Sequence, residues 1–155
     1  MSEPVAGDLA PDFTLPGDGA TTISLSSMRG SPVVLFLYPK DDTSGCTAEA
    51  IDFTRLKDAF AAIGVSLIGM SPDSPKKHDK FKSRHELTVP LASDEEKTAL
   101  QAYGAWVEKS MYGRKYMGVD RSTFLIDKDG RIARVWRKVK VPGHAQEVLE
   151  AAKTL

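Results

Sequence analysis

The sequence predicts an α/β fold, a central mixed β-sheet flanked by helices on both faces. Three observations carry this reading. Residues 33–38, VVLFLY, are a continuous apolar run rich in β-branched and aromatic residues, as in a strand buried on both faces. A helical stretch and a second run of the same kind, VSLIGM at 65–70, come next. Strand, helix, strand at these lengths is a βαβ unit, which implies parallel strands. Nearer the C-terminus, STFLID at 122–127 and RIARVWRKV at 131–139 are joined by Lys128-Asp129-Gly130. Asp-Gly between two such runs signals an antiparallel hairpin.

The remaining elements follow from local signals. Gly17-Asp18-Gly19 reads as a hairpin or tight turn between short segments at 12–15 and 22–25. Residues 47–63 read as a helix with Gly64 just past its end as a C-terminal cap. Ser74-Pro75 places a cap residue before a proline at the first helical position, opening a helix that runs to His85. Asp94 to Tyr103 reads as a third helix ending at Gly104, and Gly143 to Lys153 as a last one. Parallel strands in the middle and an antiparallel pair at the edge are compatible with a thioredoxin-like topology.

The chain has 155 residues, which suits a single domain over 1–155 with a core large enough to need no staples. Lys plus Arg number 21 and Asp plus Glu number 21, so the formal net charge is zero. A neutral balance argues against nucleic acid or an anionic membrane as main partner, because both reward a basic surface. There is one cysteine, Cys46, so no intramolecular disulfide can form, which fits a reducing compartment. The N-terminal MSEPVAGDLAPDF has no apolar core of a signal peptide, and no run is long enough to span a bilayer. The expected location is the cytoplasm.

Cys46 opens the helix that follows VVLFLY. Phe53, Leu56, Phe60 and Ile63 recur at the spacing of a buried helical stripe. Extending that spacing backward reaches Glu49 and then Cys46, which puts the thiol on the core-facing side of the first turn. Thr43 and Ser44 are both suited to cap this helix. A helix N-terminus offers unpaired N–H groups and the positive end of the dipole, and an anion such as a thiolate is stabilised there. Helix N-termini and nearby cations draw a cysteine pKa from about 8.5 toward roughly 3.5 to 7.5. Against this, free cysteines commonly pack as small hydrophobes. Reactive groups in open α/β sheets collect at the carboxyl ends of strands, which favours a functional thiol. Spacing alone carries the choice no further.

Pro39, Thr43 and Cys46 form P-x-x-x-T-x-x-C, which resembles the signature of the peroxiredoxins. The wider sequence is similar to the bacterioferritin comigratory protein, or peroxiredoxin Q, subfamily. The likeness runs through GDLAPDFTL at 7–15, YPKDDTSGCTAEA at 38–50, VPLASDEE at 89–96, MYGRKYMGVDRSTFLID at 111–127 and WRKVKVPGHAQEVL at 136–149. Five motifs in order are specific. The resemblance implies a thioredoxin-like fold and a peroxidase acting on hydrogen peroxide and organic hydroperoxides without metal or other cofactor. It makes Cys46 the nucleophile that becomes a sulfenic acid. It gives Thr43 a hydroxyl that bonds thiolate and peroxide, and Gly45 and Cys46 backbone N–H donors. Pro39 shields the pocket, and Arg121 supplies a permanent positive charge beside the sulfur. Glu49 alone would raise a thiol pKa; pairing with Arg121, and so orienting it, would give it a use.

The chain departs from the subfamily where a resolving cysteine often stands. Ile51 and Lys82 occupy two such positions, and neither can condense with a sulfenic acid. The implied partners are peroxides and an external thiol reductant, thioredoxin or a glutaredoxin–glutathione system. The subfamily implies a monomer, or a weak homodimer through the active-site loops. Ser44 stands where proline is frequent, which should loosen the helix start slightly. Two other readings compete. One is a non-catalytic thioredoxin-fold binding or holdase module with a structural cysteine. The other is a thiol transferase, which normally wants C-x-x-C where residues 43–46 read TSGC. His78, His85 and His144 lack metal-ligand spacing and are expected at the surface. Arg131, Arg134, Arg137, Lys138 and Lys140 read as a solvated strand face, with docking of an acidic reductant as the alternative.

Overall fold

The structure, a computed structural model, describes residues 3–155. Five strands make the central sheet: β3 (Val33–Leu37), β4 (Ser66–Ser71), β5 (Leu91–Ser93), β8 (Ser122–Ile126) and β9 (Ile132–Trp136), in the order β5-β4-β3-β8-β9. β3 pairs in parallel with β4, and β4 with β5, while β3–β8 and β8–β9 are antiparallel. The sheet is thus mixed, with the expected βαβ unit at its centre and the expected hairpin at one edge. Two small antiparallel pairs stand apart: β1 (Thr14–Pro16) with β2 (Thr22–Ser24), and β6 (Trp106–Met111) with β7 (Arg114–Val119).

Every residue of β3 is buried, so its side chains feed both faces. Val34 and Phe36 point into a cluster with Phe53 and Phe60 of α1 (Ser44–Ala62) and Val148 of α4 (His144–Ala152). Phe81 of α2 (Pro75–His85) joins the same cluster. Val33, Leu35 and Leu37 point the other way, into a cluster with Phe13, Leu100 and Tyr103 around α3 (Thr98–Ala102). Helices therefore cover both faces, and each buried Phe contributes about 1.5–3 kcal/mol by leaving water. α1 begins at Ser44, earlier than the expected residue 47, and Thr43 takes the cap position. Its far end closes as anticipated: Gly64 has φ 76°, its N–H bonds to the Ala61 carbonyl, and the Val65 N–H bonds to that of Phe60. That is a Schellman cap, which needs the left-handed residue glycine provides.

Several expectations are corrected. The third helix does not start at Asp94. Lys97 lies in the left-handed region at φ 61°, which breaks the helix, and only residues 98–102 remain helical. The last strand stops at Trp136 rather than residue 139, and Lys138 has φ 49°. Ile63 is 38 % exposed and leaves the buried stripe. His78 and His144 are buried, not at the surface. β5, β6 and β7 had no counterpart among the strands read from sequence.

Candidate active site

β3 ends at Leu37, and the chain turns through Pro39, Lys40, Asp41 and Asp42 into α1. Asp42 takes the left-handed conformation at φ 62°. The Thr43 hydroxyl donates to the Lys40 carbonyl at 2.8 Å, which closes this turn. It does not donate to Cys46; the structure puts Thr43 at the helix cap with its hydroxyl spent on the turn. The Thr47 N–H is the first to bond back, to the Thr43 carbonyl at 2.9 Å. Among the described residues, the N–H groups of Gly45 and Cys46 have no acceptor. They form the donor end of the helix, where the dipole favours negative charge.

Cys46 is 1 % exposed, and its sulfur sits in the first turn of α1. Arg121, immediately before β8, reaches it from a separation of 75 residues. Arg121 Nη2 donates to Cys46 Sγ at 3.2 Å, and Nη1 donates to Glu49 Oε1 at 2.7 Å. One fork thus holds the thiol and the carboxylate that lie one helical turn apart. Burial works against the charge on Arg121, but Glu49 and the Cys46 sulfur outweigh it, so the guanidinium is held more firmly protonated than usual. Burial pushes the Glu49 carboxyl up to about 7, and the attraction of Arg121 only partly offsets this. Its second oxygen, Oε2, is buried without a partner. The Gly45 backbone lies against the same guanidinium: a Cβ there would sit 3.2 Å from Nη2. Pro39 is half-buried beside this turn.

His144 opens α4 close by. Its Nε2 lies 2.8 Å from the Thr123 hydroxyl, and its ring meets Phe53 and Trp136 edge-on. Burial pushes its pKa down to about 4, so the ring is neutral at ordinary pH. Ile51 is half-exposed on α1, and Lys82 Nζ donates to Asp18 Oδ2 at 2.7 Å. A cavity of about 460 Å³ lies between β1 and α3, but its lining, which includes Phe13, Leu15 and Asp94, contains none of the groups around the thiol.

Sequence reasoning missed one group altogether, a buried polar cluster behind the turn. It consists of Tyr38, Asp41, Ser71, Asp73 and His78. The available signal was an Asp41-Asp42 pair just before the helix cap and two histidines seven residues apart on one helix, His78 and His85.

A lone buried sulfur at a helix N-terminus on this sheet, with a guanidinium donating to it, defines a thiol-based oxidoreductase. Comparisons make the class specific. The AhpC/TSA family matches residues 6–135. Peroxiredoxin Bcp of Bacillus subtilis is 47 % identical over 149 residues, which is 96 % of this chain and 95 % of that protein. A putative peroxiredoxin bcp of Coxiella burnetii is 46 % identical over 143 residues, 92 % of this chain and 95 % of its own length. In structure, the bacterioferritin comigratory protein of Xanthomonas campestris, studied for alkyl peroxide reduction, superposes with a TM-score of 0.90 at 38 % identity, over 98 % of this chain and 96 % of that one. The chain belongs to the peroxiredoxins of the AhpC/TSA family, in the bacterioferritin comigratory protein/peroxiredoxin Q group, and is a thiol-dependent peroxidase. The thioredoxin-like fold expected from sequence is the fold of this family. Among the described residues, no helix is long and apolar enough to cross a membrane.

Proposed function

We propose that residues 1–155 act as one peroxiredoxin domain that reduces hydrogen peroxide and organic hydroperoxides through Cys46, recycled by an external thiol in a reducing cytoplasm. The observation that carries this is the 3.2 Å contact from Arg121 Nη2 to Cys46 Sγ beside the unbonded N–H groups of Gly45 and Cys46. The guanidinium and helix dipole favour an anionic sulfur. The thiolate attacks one peroxide oxygen; the O–O bond breaks, the other oxygen leaves as alkoxide or hydroxide, and it takes a proton to become alcohol or water. Cys46 is left as a sulfenic acid. Donors that hold both oxygens in line and meet the charge growing on the leaving one lower the barrier. Gly45 and Cys46 N–H are such donors, and Arg121 serves both sulfur and oxygen. Thr43 joins them when peroxide binds if its hydroxyl swings from the Lys40 carbonyl. Pro39, with no N–H and a rigid ring, keeps competing water off the sulfur.

No second cysteine exists to resolve the sulfenic acid. An external thiol therefore condenses with it, releasing water and leaving a mixed disulfide, and a second thiol frees Cys46 as it forms the reductant's own disulfide. Thioredoxin or a glutaredoxin–glutathione system fits this chemistry, and a monomer or weak homodimer presents the site to it. The test is peroxide consumption with dithiothreitol. Wild type consumes peroxide and Cys46→Ser does not; activity surviving the substitution would mean that Cys46 is not the peroxidatic thiol. Excess peroxide without reductant should add two oxygens at Cys46 by mass spectrometry, since no internal thiol intercepts the sulfenic acid.

A further inference from the structure

The turn that presents Cys46 is gripped from behind by one face of α2. Asp41 is buried, and both its carboxylate oxygens and its N–H are engaged. The Tyr38 hydroxyl donates to Asp41 Oδ1 at 2.6 Å, His78 Nδ1 meets Asp41 Oδ2 at 2.7 Å, and the Asp41 N–H donates to Asp73 Oδ2 at 2.7 Å. Asp73 is fixed in turn by the Ser71 hydroxyl at 2.7 Å. His78 is wholly buried, and its other nitrogen, Nε2, lies 3.1 Å from the Ala92 carbonyl. A carbonyl only accepts, so Nε2 carries hydrogen and Nδ1 faces the carboxylate. One proton then bridges His78 and Asp41, whichever of them formally owns it. Two helical turns along α2, His85 Nε2 meets Asp42 Oδ1 at 2.8 Å, on the left-handed residue of the same turn.

Asp41, Asp73 and His78 are also the one set among the described residues whose ligand atoms lie within 4.8 Å of one another. Both Asp41 carboxylate oxygens, Asp73 Oδ2 and both His78 nitrogens are engaged in these direct bonds, and Lys77 Nζ stands 4.0 Å from Asp73 Oδ1. The cluster is thus a self-satisfied brace. A buried network with every member bonded rigidifies what it holds, and what it holds is the segment running into the N–H donors of α1.

We propose that His78 and Asp41 are positioning residues for the peroxidase reaction. Through the turn at 39–43 they fix the first turn of α1 against Arg121. The inference rests on the reading of Cys46 as the peroxidatic thiol. Its physical content is that peroxide attack needs an in-line arrangement of sulfur, two N–H donors and a guanidinium, whereas alkylation of the same sulfur does not. A misplacement of about 1 Å costs an aligned reaction up to about a hundredfold.

Single-turnover oxidation of Cys46 by hydrogen peroxide and its alkylation by iodoacetamide are measured on the full chain. His78→Leu and Asp41→Asn should each slow peroxide oxidation by about tenfold or more, while alkylation changes far less. The double variant should be no slower than either single one. His78→Asn, whose amide nitrogen can reach the Nδ1 position, should recover part of the rate. Equal losses in oxidation and alkylation, or no recovery with Asn, would mean a merely structural role and overturn the proposal. Should the buried variants fail to fold, His85→Ala, at a half-exposed site, should quicken exchange of the bonded Asp41 and Thr47 amides and lower the oxidation rate. Unchanged exchange and rate in that variant would overturn it equally. Peroxide consumption retained by Cys46→Ser would instead defeat the reading of Cys46 as the peroxidatic thiol, and exchange of the Asp41 and Thr47 amides in His78→Leu would still report whether the brace holds the turn.

Discussion

Arg121 holds two side chains at once, and the cost of losing each contact differs. Replacing it with Met removes the only side-chain charge on the sulfur among the described residues; peroxide oxidation of Cys46 should fall by about 10²–10³, the range for loss of one transition-state donor. Glu49→Gln keeps an acceptor for Nη1 but removes the charge, so a smaller loss, about three- to tenfold, is expected, with the fold intact. An unchanged rate would show that Glu49 does not orient Arg121. Gly45→Ala tests the close approach directly. The added Cβ, 3.2 Å from Nη2, displaces the end of a long side chain by a few tenths of an ångström, so the rate should drop while the melting temperature barely moves. At this scale the sequence was uneven. Cys46 could be placed at the first turn of a helix from the spacing of Phe53, Leu56 and Phe60. Arg121 and Glu49, 72 residues apart, could be joined only through the family resemblance, because nothing local links them. The orientation of the Thr43 hydroxyl, which donates to the Lys40 carbonyl, depends on a turn geometry that residue types do not encode.

Elements with strong local chemistry were legible, and those held by their surroundings were not. Ser74-Pro75 opens α2 as read: the Ser74 side chain accepts from the Lys77 N–H at 3.2 Å. Ser74→Ala should therefore cost about 1 kcal/mol, seen as a melting point lower by about 2–4 °C for a chain of this size. No change would mean that Pro75 and the packing of Phe81 hold the helix without the cap. The β6–β7 hairpin escaped because neither of its faces is consistently buried. Met111, Tyr116 and Met117 are exposed beside lysines and arginine, so no alternation appears. Its one local mark was Tyr112-Gly113, with φ 53° and 78°, the paired left-handed residues of a tight hairpin turn. α3 was overextended because Asp94 looks like the start of a helix. It does bond to the Leu100 N–H, at 2.7 Å, but from outside the helix and across the break at Lys97. β5 is three residues long and is held by its neighbours, β4 on one side and the Gly17–Ala92 bridge on the other.

Over the whole molecule, two buried titrating groups pull stability in opposite directions with pH. Burial holds the Glu49 carboxyl to about 7 against an ordinary 4.5. Between those values the folded chain keeps a proton that the unfolded chain has released, so on this account stability falls as pH rises from 4.5 to 7. Burial lowers His144 to about 4 from 6.5. Between those values the unfolded chain binds a proton that the folded chain refuses, so stability falls as pH drops from 6.5 to 4. The two slopes oppose each other across the shared interval, and removing either group should expose the other. In Glu49→Gln, the melting temperature relative to wild type should rise as pH increases from 4.5 to 7. In His144→Gln, the same difference should rise as pH falls from 6.5 toward 4. Differences are the right measure, since contributions of distant groups cancel. The groups facing Glu49 and His144, namely Arg121, Asp52 and Glu147, are present in both variants. Each kcal/mol should appear as roughly 2–4 °C. Melting curves of both variants that stay parallel to wild type from pH 4 to 8 would mean that neither group is held away from its ordinary titration. The buried, half-satisfied carboxyl that anchors Arg121 would then carry no stability cost for the fold to offset.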